Sequence, residues 1–286
     1  METLLDFFSS IPSSYRSVFL IAGLAFFWNL EVAMPLFRFQ YRKLRHAVLN
    51  VFFWVTTILI ALGFATLLVG TAEIAELHRI GLLNWLDLPT WLDVVVGLLV
   101  LDLVGAYLIH WIEHKVRWMW KFHLIHHTEQ EVDVTTALRH HPGEAVFRSA
   151  FTVLAVLVSG ASIGVVFLYQ TLSALFAQIT HANIASPEPI DRWLSWIFVT
   201  PNMHKVHHHY VQPLTDTNYG NIFSIWDRIF GTFARVDRTS DLVYGIDTHM
   251  QPDEHSSMRS LLAIPFQKYR APRGSKFSDD GEEAMR

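Results

Sequence analysis

Residues 46–70 read HAVLNVFFWVTTILIALGFATLLVG, a run of about 25 positions without a Lys, Arg, Asp or Glu. A helix of about 20 apolar residues crosses the roughly 30 Å hydrocarbon layer of a bilayer, and this run is long enough to do so with some tilt. Residues 17–37 and 91–109 are similar. Asn29 and Glu31 interrupt the first, and the second carries Asp93 and Asp102. Only 17% of the chain is charged, where soluble domains carry about 25%, so an all-α integral membrane protein is expected. The net charge of −4 supplies no basic footprint, and no nucleic-acid partner is expected. METLLDFF at the start lacks a basic n-region, so the first hydrophobic segment is expected to be retained.

Lys and Arg in short loops favour the cytoplasmic side. Arg38, Arg42, Lys43 and Arg45 cluster after the first run, while residues 71–89 carry Glu73, Glu76 and Asp87 against Arg79 alone. The end of the third run then faces the cytoplasm, together with Lys115, Arg117, Lys121, Arg139 and Arg148. A fourth apolar region, 150–180, is broken by SGASIG at 159–164 into halves short for a comfortable crossing. A turn at the break returns the chain to the cytoplasmic side. The expected architecture is three spans plus a helical hairpin, with a cytoplasmic helical cap. NYGNIFSIWDRIFGTF (218–233) reads as an amphipathic part of that cap, with no chemical role assigned to Asn218, Tyr219 or Asp227.

The chain has 16 histidines and no cysteine, which removes disulfides, thiolate metal sites and Cys nucleophiles together. Three groups of histidines have helical spacing. His110 and His114 are four apart; His123, His126 and His127 follow an i, i+3, i+4 pattern; His204, His207 and His208 repeat it. Residues so spaced share a helix face. His209 lies five positions from His204, about 140° round the helix, and is left outside. Buried imidazoles need partners, and neutral imidazole is the commonest protein metal ligand. Eight exceed what one four-coordinate ion takes, so two metals with four or five imidazoles each are expected. Imidazole suits Zn, Cu, Fe and Ni alike, and spacing does not choose among them.

His181, at the end of the fourth region, is a further ligand candidate, with Asn183 two positions on. In RHHPGE, Pro142 disfavours helical geometry at His141, which is a candidate ligand or a support for one, ahead of His140. His46, His78, His249 and His255 are isolated. HWIEH also matches the inverted zinc-peptidase pattern H-x-x-E-H, with Glu113 as base, but that reading leaves the other two groups without a task.

The ordered boxes HxxxH, HxxHH and HxxHH beside hydrophobic spans resemble the fatty acid hydroxylase/sterol desaturase superfamily of membrane di-iron oxygenases. TTALRHHPGE resembles the segment after the second box in bacterial members. TPNMHKVHHHYVQPLTDTNYGNIFSIWDRIFGTFAR resembles the third box and its tail, there and in the alkylglycerol monooxygenases. The resemblance implies two Fe ions held by His110, His114, His123, His126, His127, His181, His204, His207 and His208. Some members carry a further histidine four positions before the one matching His181. Ala177 stands there in this chain, so His141, Asn183 or water is expected to complete one iron.

The implied activity is O2-dependent hydroxylation of a C–H bond of a membrane lipid (fatty acyl, sterol or ether lipid). Desaturation and ether-lipid monooxygenation are the alternatives on the same scaffold, and a zinc metallohydrolase is the alternative of another class. The lipid is expected to enter from the bilayer, beside Trp111, Trp118, Trp120 and Phe122. No G-x-G-x-x-G follows a strand, so electrons are expected from a separate donor, cytochrome b5-like or ferredoxin-like. Lys115, Arg117 and Lys121 would steer it or contact anionic lipid. The chain divides into N-terminal membrane spans (1–92), a catalytic unit (93–235) and a C-terminal segment with a flexible tail (236–286), in an integral protein, expected in a bacterial inner membrane with its metal site on the cytoplasmic side.

Overall fold

A computed structural model of the chain describes residues 1–275; the end of the expected flexible tail lies outside them. Helix α1 (Glu2–Ser10) precedes α2 (Ser13–Ala33) and α3 (Lys43–Leu77). Helix α4 runs Thr90–Lys115 with a π-helical stretch, Leu103–Leu108, in its middle. After an extended residue at Val116 comes α5 (Arg117–His127). Then follow α6 (Pro142–Ser159), α7 (Ile163–His181), α8 (Glu188–Leu194) and α9 (Pro201–His207). Among the described residues there is no strand, only isolated bridges such as Phe198 with Phe223.

Local chemistry sets the ends of the helices around the histidines. His141 is extended, and its ring accepts from Gly143 N at the start of α6, where Pro142 occupies the first turn; a proline there forfeits no hydrogen bond. Thr200 caps α9 by accepting from Met203 N, again ahead of a proline. Helix α6 stops at Gly160, which adopts the left-handed φ of 67° that glycine takes without a Cβ penalty.

Five helices, α2, α3, α4, α6 and α7, are long and apolar enough to cross a membrane. The halves of the fourth region are longer than their apolar stretches, because α6 begins in the polar PGE and α7 runs on to His181. Helices α4 and α7 are central: 44% of their apolar windows is buried against protein, compared with 11% for α3 and 6% for α2. The rest of α3 shows Val55, Leu59, Leu62 and Leu67 on its outer face, a stripe that suits lipid and not water. A core of Leu101, Val156, Val165 and Tyr169 joins α4, α6 and α7.

The hairpin is established by what its two ends touch. Glu144, in the first turn of α6, meets His123 at 2.8 Å, and His181, the last residue of α7, meets His126 at 3.0 Å. Both partners lie on α5, so α6 leaves and α7 returns to the same end of the bundle. At the opposite end, Asn84 Nδ2 donates to the carbonyls of Ile80 and Gly160, and Gly81 (φ 94°) lies against the Gly160 backbone.

Candidate metal centre

Helix α4 carries His110 and His114 immediately after its π stretch, a feature frequent at functional sites. Helix α5 brings His123, His126 and His127, α7 ends on His181, and α9 with its cap residue brings His204, His207 and His208. All nine rings are buried. They form two groups. His110, His114, His123, His127 and His207 have donor atoms within 4.8 Å of one another, and so do His126, His181, His204 and His208.

The groups do not follow the sequence boxes. Residues i and i+4 lie about 40° apart round a helix, while i+3 and i+4 are separated by about 100°. His123 and His127 therefore go to the first group and His126 to the second. On α9, His204 and His208 go to the second and His207 to the first. Each HxxHH box serves both groups.

Outer contacts decide which nitrogen faces inward. A carbonyl can only accept, so His110, His181 and His207 donate Nδ1–H to the carbonyls of Tyr219 (2.9 Å), Ala177 (2.7 Å) and Thr217 (2.7 Å). His114 donates to Asp216 at 3.1 Å and His123 to Glu144 at 2.8 Å. In a neutral ring the Nε2 then carries only a lone pair. Yet Nε2 of His110 and Nε2 of His123 lie 3.1 Å apart, two lone pairs facing each other. A shared cation or an extra proton would reconcile them.

The extra proton is opposed by burial, which pushes His123 down to about 3 despite Glu144. Burial, then the neighbouring imidazoles, holds His126, His127, His204 and His207 well below the ordinary range, and His208 is held there in the same way. Nε2 of His114 and of His207, and both ring nitrogens of His208, are buried without a partner. Nitrogens bound to one ion at about 2.0–2.1 Å stand roughly 3–4 Å apart, the spacing found for His123 with His127 (3.2 Å) and His181 with His204 (3.0 Å). The donor set fits metal ions.

Supporting groups whose role the sequence did not reveal surround the rings. Glu144 Oε1 accepts from His123, His140 and Arg148, and Arg148 also pairs with Glu113 at 2.6 Å. The offsets of four between His140, just before α6, and Glu144 and Arg148 on it were the available signal. Burial alone would raise Asp216, but His114 and Lys115 overcome it and hold it down to about 2. Carboxylates placed in this way fix ring orientation and raise ligand basicity.

Other candidates lie elsewhere. His141 is occupied in capping α6, with its ring against Phe122. Asn183 binds both the N–H and the carbonyl of Phe37. Neither falls in the two groups, whereas His140 stacks on His126 with centroids 4.6 Å apart. His209 turns its Nδ1 to Val243 N. Glu113, the base of the peptidase reading, is engaged by Arg148. His46, read as isolated, binds Glu129 at 2.5 Å in a buried network with Arg139 and Asp133.

Asp102 explains one polar residue in an apolar run. It is fully buried and accepts from Ile222 N and Phe223 N, each at 3.2 Å, and from Trp226 Nε1 at 3.1 Å. These bonds, with Asp227 holding Tyr219 N and Gly220 N, lock the 218–233 segment so that the Tyr219 carbonyl meets His110. A cavity of about 270 Å³ opens onto members of both groups, lined by His110, His123, His126, His181 and, away from them, Thr152 and Gln170.

A bundle of membrane-length helices with two buried imidazole clusters at one end defines a histidine-box membrane protein. Residues 94–232, just under half of the chain, match the fatty acid hydroxylase family. It is 31% identical over 159 residues to ornithine lipid hydroxylase OlsE of Rhizobium tropici, covering 55% of this chain and 46% of the relative. It is 30% identical over 175 residues to human alkylglycerol monooxygenase, covering 61% and 36%. Methylsterol monooxygenase 1-3 of Arabidopsis thaliana is 26% identical over 172 residues, 58% of each chain. In each of these comparisons the chain spans less than two thirds of the relative's length. No solved structure matches significantly.

Proposed function

We propose that this chain is a membrane-bound non-haem di-iron oxygenase that hydroxylates a C–H bond of a membrane lipid with O2. The observation that carries the reading is the pair of lone-pair nitrogens on His110 and His123, 3.1 Å apart in a buried site. His110, His114, His123, His127 and His207 would hold one iron, and His126, His181, His204 and His208 the other. The names of the relatives, a lipid hydroxylase and two kinds of monooxygenase, support lipid oxygenation. When bound, an iron pair supplies the O2 chemistry that breaks an unactivated C–H bond, which side chains cannot do alone.

The chain's own residues hold and insulate that site. Tyr219, Ala177 and Thr217 carbonyls, with Asp216 and Glu144, keep five rings in the tautomer that points Nε2 inward. Arg148 balances Glu113 and Glu144 beside His123. The catalytic unit is proposed as 93–235. Arg42, Lys43 and Lys115 lie at the histidine end, which supports a cytoplasmic site. Electrons come from a separate donor, cytochrome b5-like or ferredoxin-like, since the chain lacks cysteine.

The matches to alkylglycerol monooxygenases favour a second reading, oxygenation of an ether lipid, which product analysis separates from acyl or sterol hydroxylation. The first test is metal content of detergent-purified protein from iron-supplemented cells. About two irons per chain, with O2-dependent lipid oxidation, is the expected result. A single zinc with activity retained anaerobically would overturn it in favour of a metallohydrolase.

A further inference from the structure

Helix α3 packs along α6, and α2 along α7, while α3 and α7 touch little. The gap between the two pairs is a groove of about 440 Å³ floored by α6. Its wall on α3 is formed by Ile58, Ala61, Leu62 and Ala65, all on the exposed face of a helix read as lipid-facing. Ala61 and Ala65 are four apart, so a strip of small side chains runs along one face, and Phe167 closes the other side.

Thr152 and Gln170 line this groove and also the cavity beside the histidines. The two volumes therefore border the same two side chains, and together they fall within the roughly 300–1,000 Å³ of ligand pockets. An occupant of the groove lies against bilayer on one side and mainly apolar side chains on the other, with Arg16, stacked over the Phe167 ring, as the one cation in the lining. Along most of the lining a polar group would find no partner for its lost hydration, whereas an alkyl chain would pass from one apolar environment to another.

We propose that the groove between α3, α6 and α7 binds one alkyl chain of a bilayer lipid, and that the neck at Thr152 and Gln170 joins this chain site to the metal cavity. The inference rests on the lipid-oxygenase reading for its purpose, and it adds the route and the part of the lipid recognised. Thr152 and Gln170 then act as positioning residues that set how far a chain reaches toward the histidines.

The absence of cysteine makes single-cysteine labelling clean. Ala174→Cys places a thiol in the metal cavity beyond the neck. Vesicle-reconstituted, iron-loaded protein is treated with N-dodecylmaleimide dissolved in the bilayer, and separately with an anionic water-soluble methanethiosulfonate. The bilayer-borne reagent should label Ala174→Cys, and adding Gln170→Trp should slow it about tenfold or more by overfilling the neck, with iron content unchanged. The anionic reagent should label it far more slowly than the exposed control Ser240→Cys.

Unchanged labelling in the Gln170→Trp background, or rapid labelling by the anionic reagent, would overturn the proposal. Should Gln170→Trp disturb folding, Ala65→Trp applies the same block from the lipid-facing wall, and unslowed labelling there overturns it equally. Failure of the two ideas is distinguishable. Two irons and oxidised lipid with unslowed labelling reject the chain site alone. Blocked labelling without iron or oxidation rejects the oxygenase and leaves the chain site standing.

Discussion

His208 and His209 are adjacent and have opposite surroundings. Both ring nitrogens of His208 are buried without partners, and its ring stacks on His127. His209 is half-exposed and accepts from Val243 N. His208→Ala should abolish lipid oxidation and lower bound metal, while His209→Ala should change both by less than about threefold. Equal tolerance at the two positions in a metal and activity assay would reject the ligand assignment. A second residue-scale prediction lies away from the rings. Burial, then Arg270, pushes His249 down to about 4. Between pH 6.5 and about 4 the unfolded chain binds a proton there that the folded chain does not, so stability falls as pH drops through that window. The contribution is on the order of 3 kcal/mol. His249→Asn should flatten this part of the stability–pH curve, measured by thermal unfolding in detergent; an unchanged slope would exclude His249 as its source.

At the scale of elements, Asp102 ties α4 to the 218–233 segment through three donors. Asp102→Leu strands all three, at about 1–3 kcal/mol each, and should loosen the segment that presents the Tyr219 carbonyl to His110. The expected readouts are faster proteolysis within 218–233 and reduced iron content, with Asp102→Asn milder because one acceptor oxygen remains. Intact resistance in Asp102→Leu would show that the segment is held by other contacts. The spans, the hairpin and the histidine spacing were legible because they are local: apolar runs and i, i+4 offsets carry their own geometry. What was hidden is non-local. No offset within HxxHH reveals that His207 joins His110 while its neighbour His208 joins His181, or that Asp216 and Glu144 stand behind His114 and His123. Asp102 in a sequence is only a polar fault in an apolar run, because its partners are 120 residues away or more.

On the scale of the whole molecule, the histidine end is where the helices converge. Helices α4 and α7 arrive there, α6 leaves from it, and α5 and α9 lie across it. Without ions, much of what joins these elements at the centre is imidazole facing imidazole, including the opposed lone pairs of His110 and His123. Neutral rings in that arrangement repel or leave buried nitrogens unsatisfied, a cost of about 1–3 kcal/mol for each. Metal bound by these rings would therefore stabilise the bundle and not merely decorate it. A ligand that binds only the folded state at 100 times its Kd adds about 2.7 kcal/mol, and the two ions proposed for these nine imidazoles should exceed that. Stripping metal with a chelator should lower the unfolding temperature in detergent by several degrees, and adding back ferrous iron should restore it. The effect should be reduced in His208→Ala and kept in His209→Ala. An unfolding temperature indifferent to chelation would mean that the rings are held by protons and packing alone, and the di-iron reading would fall with it.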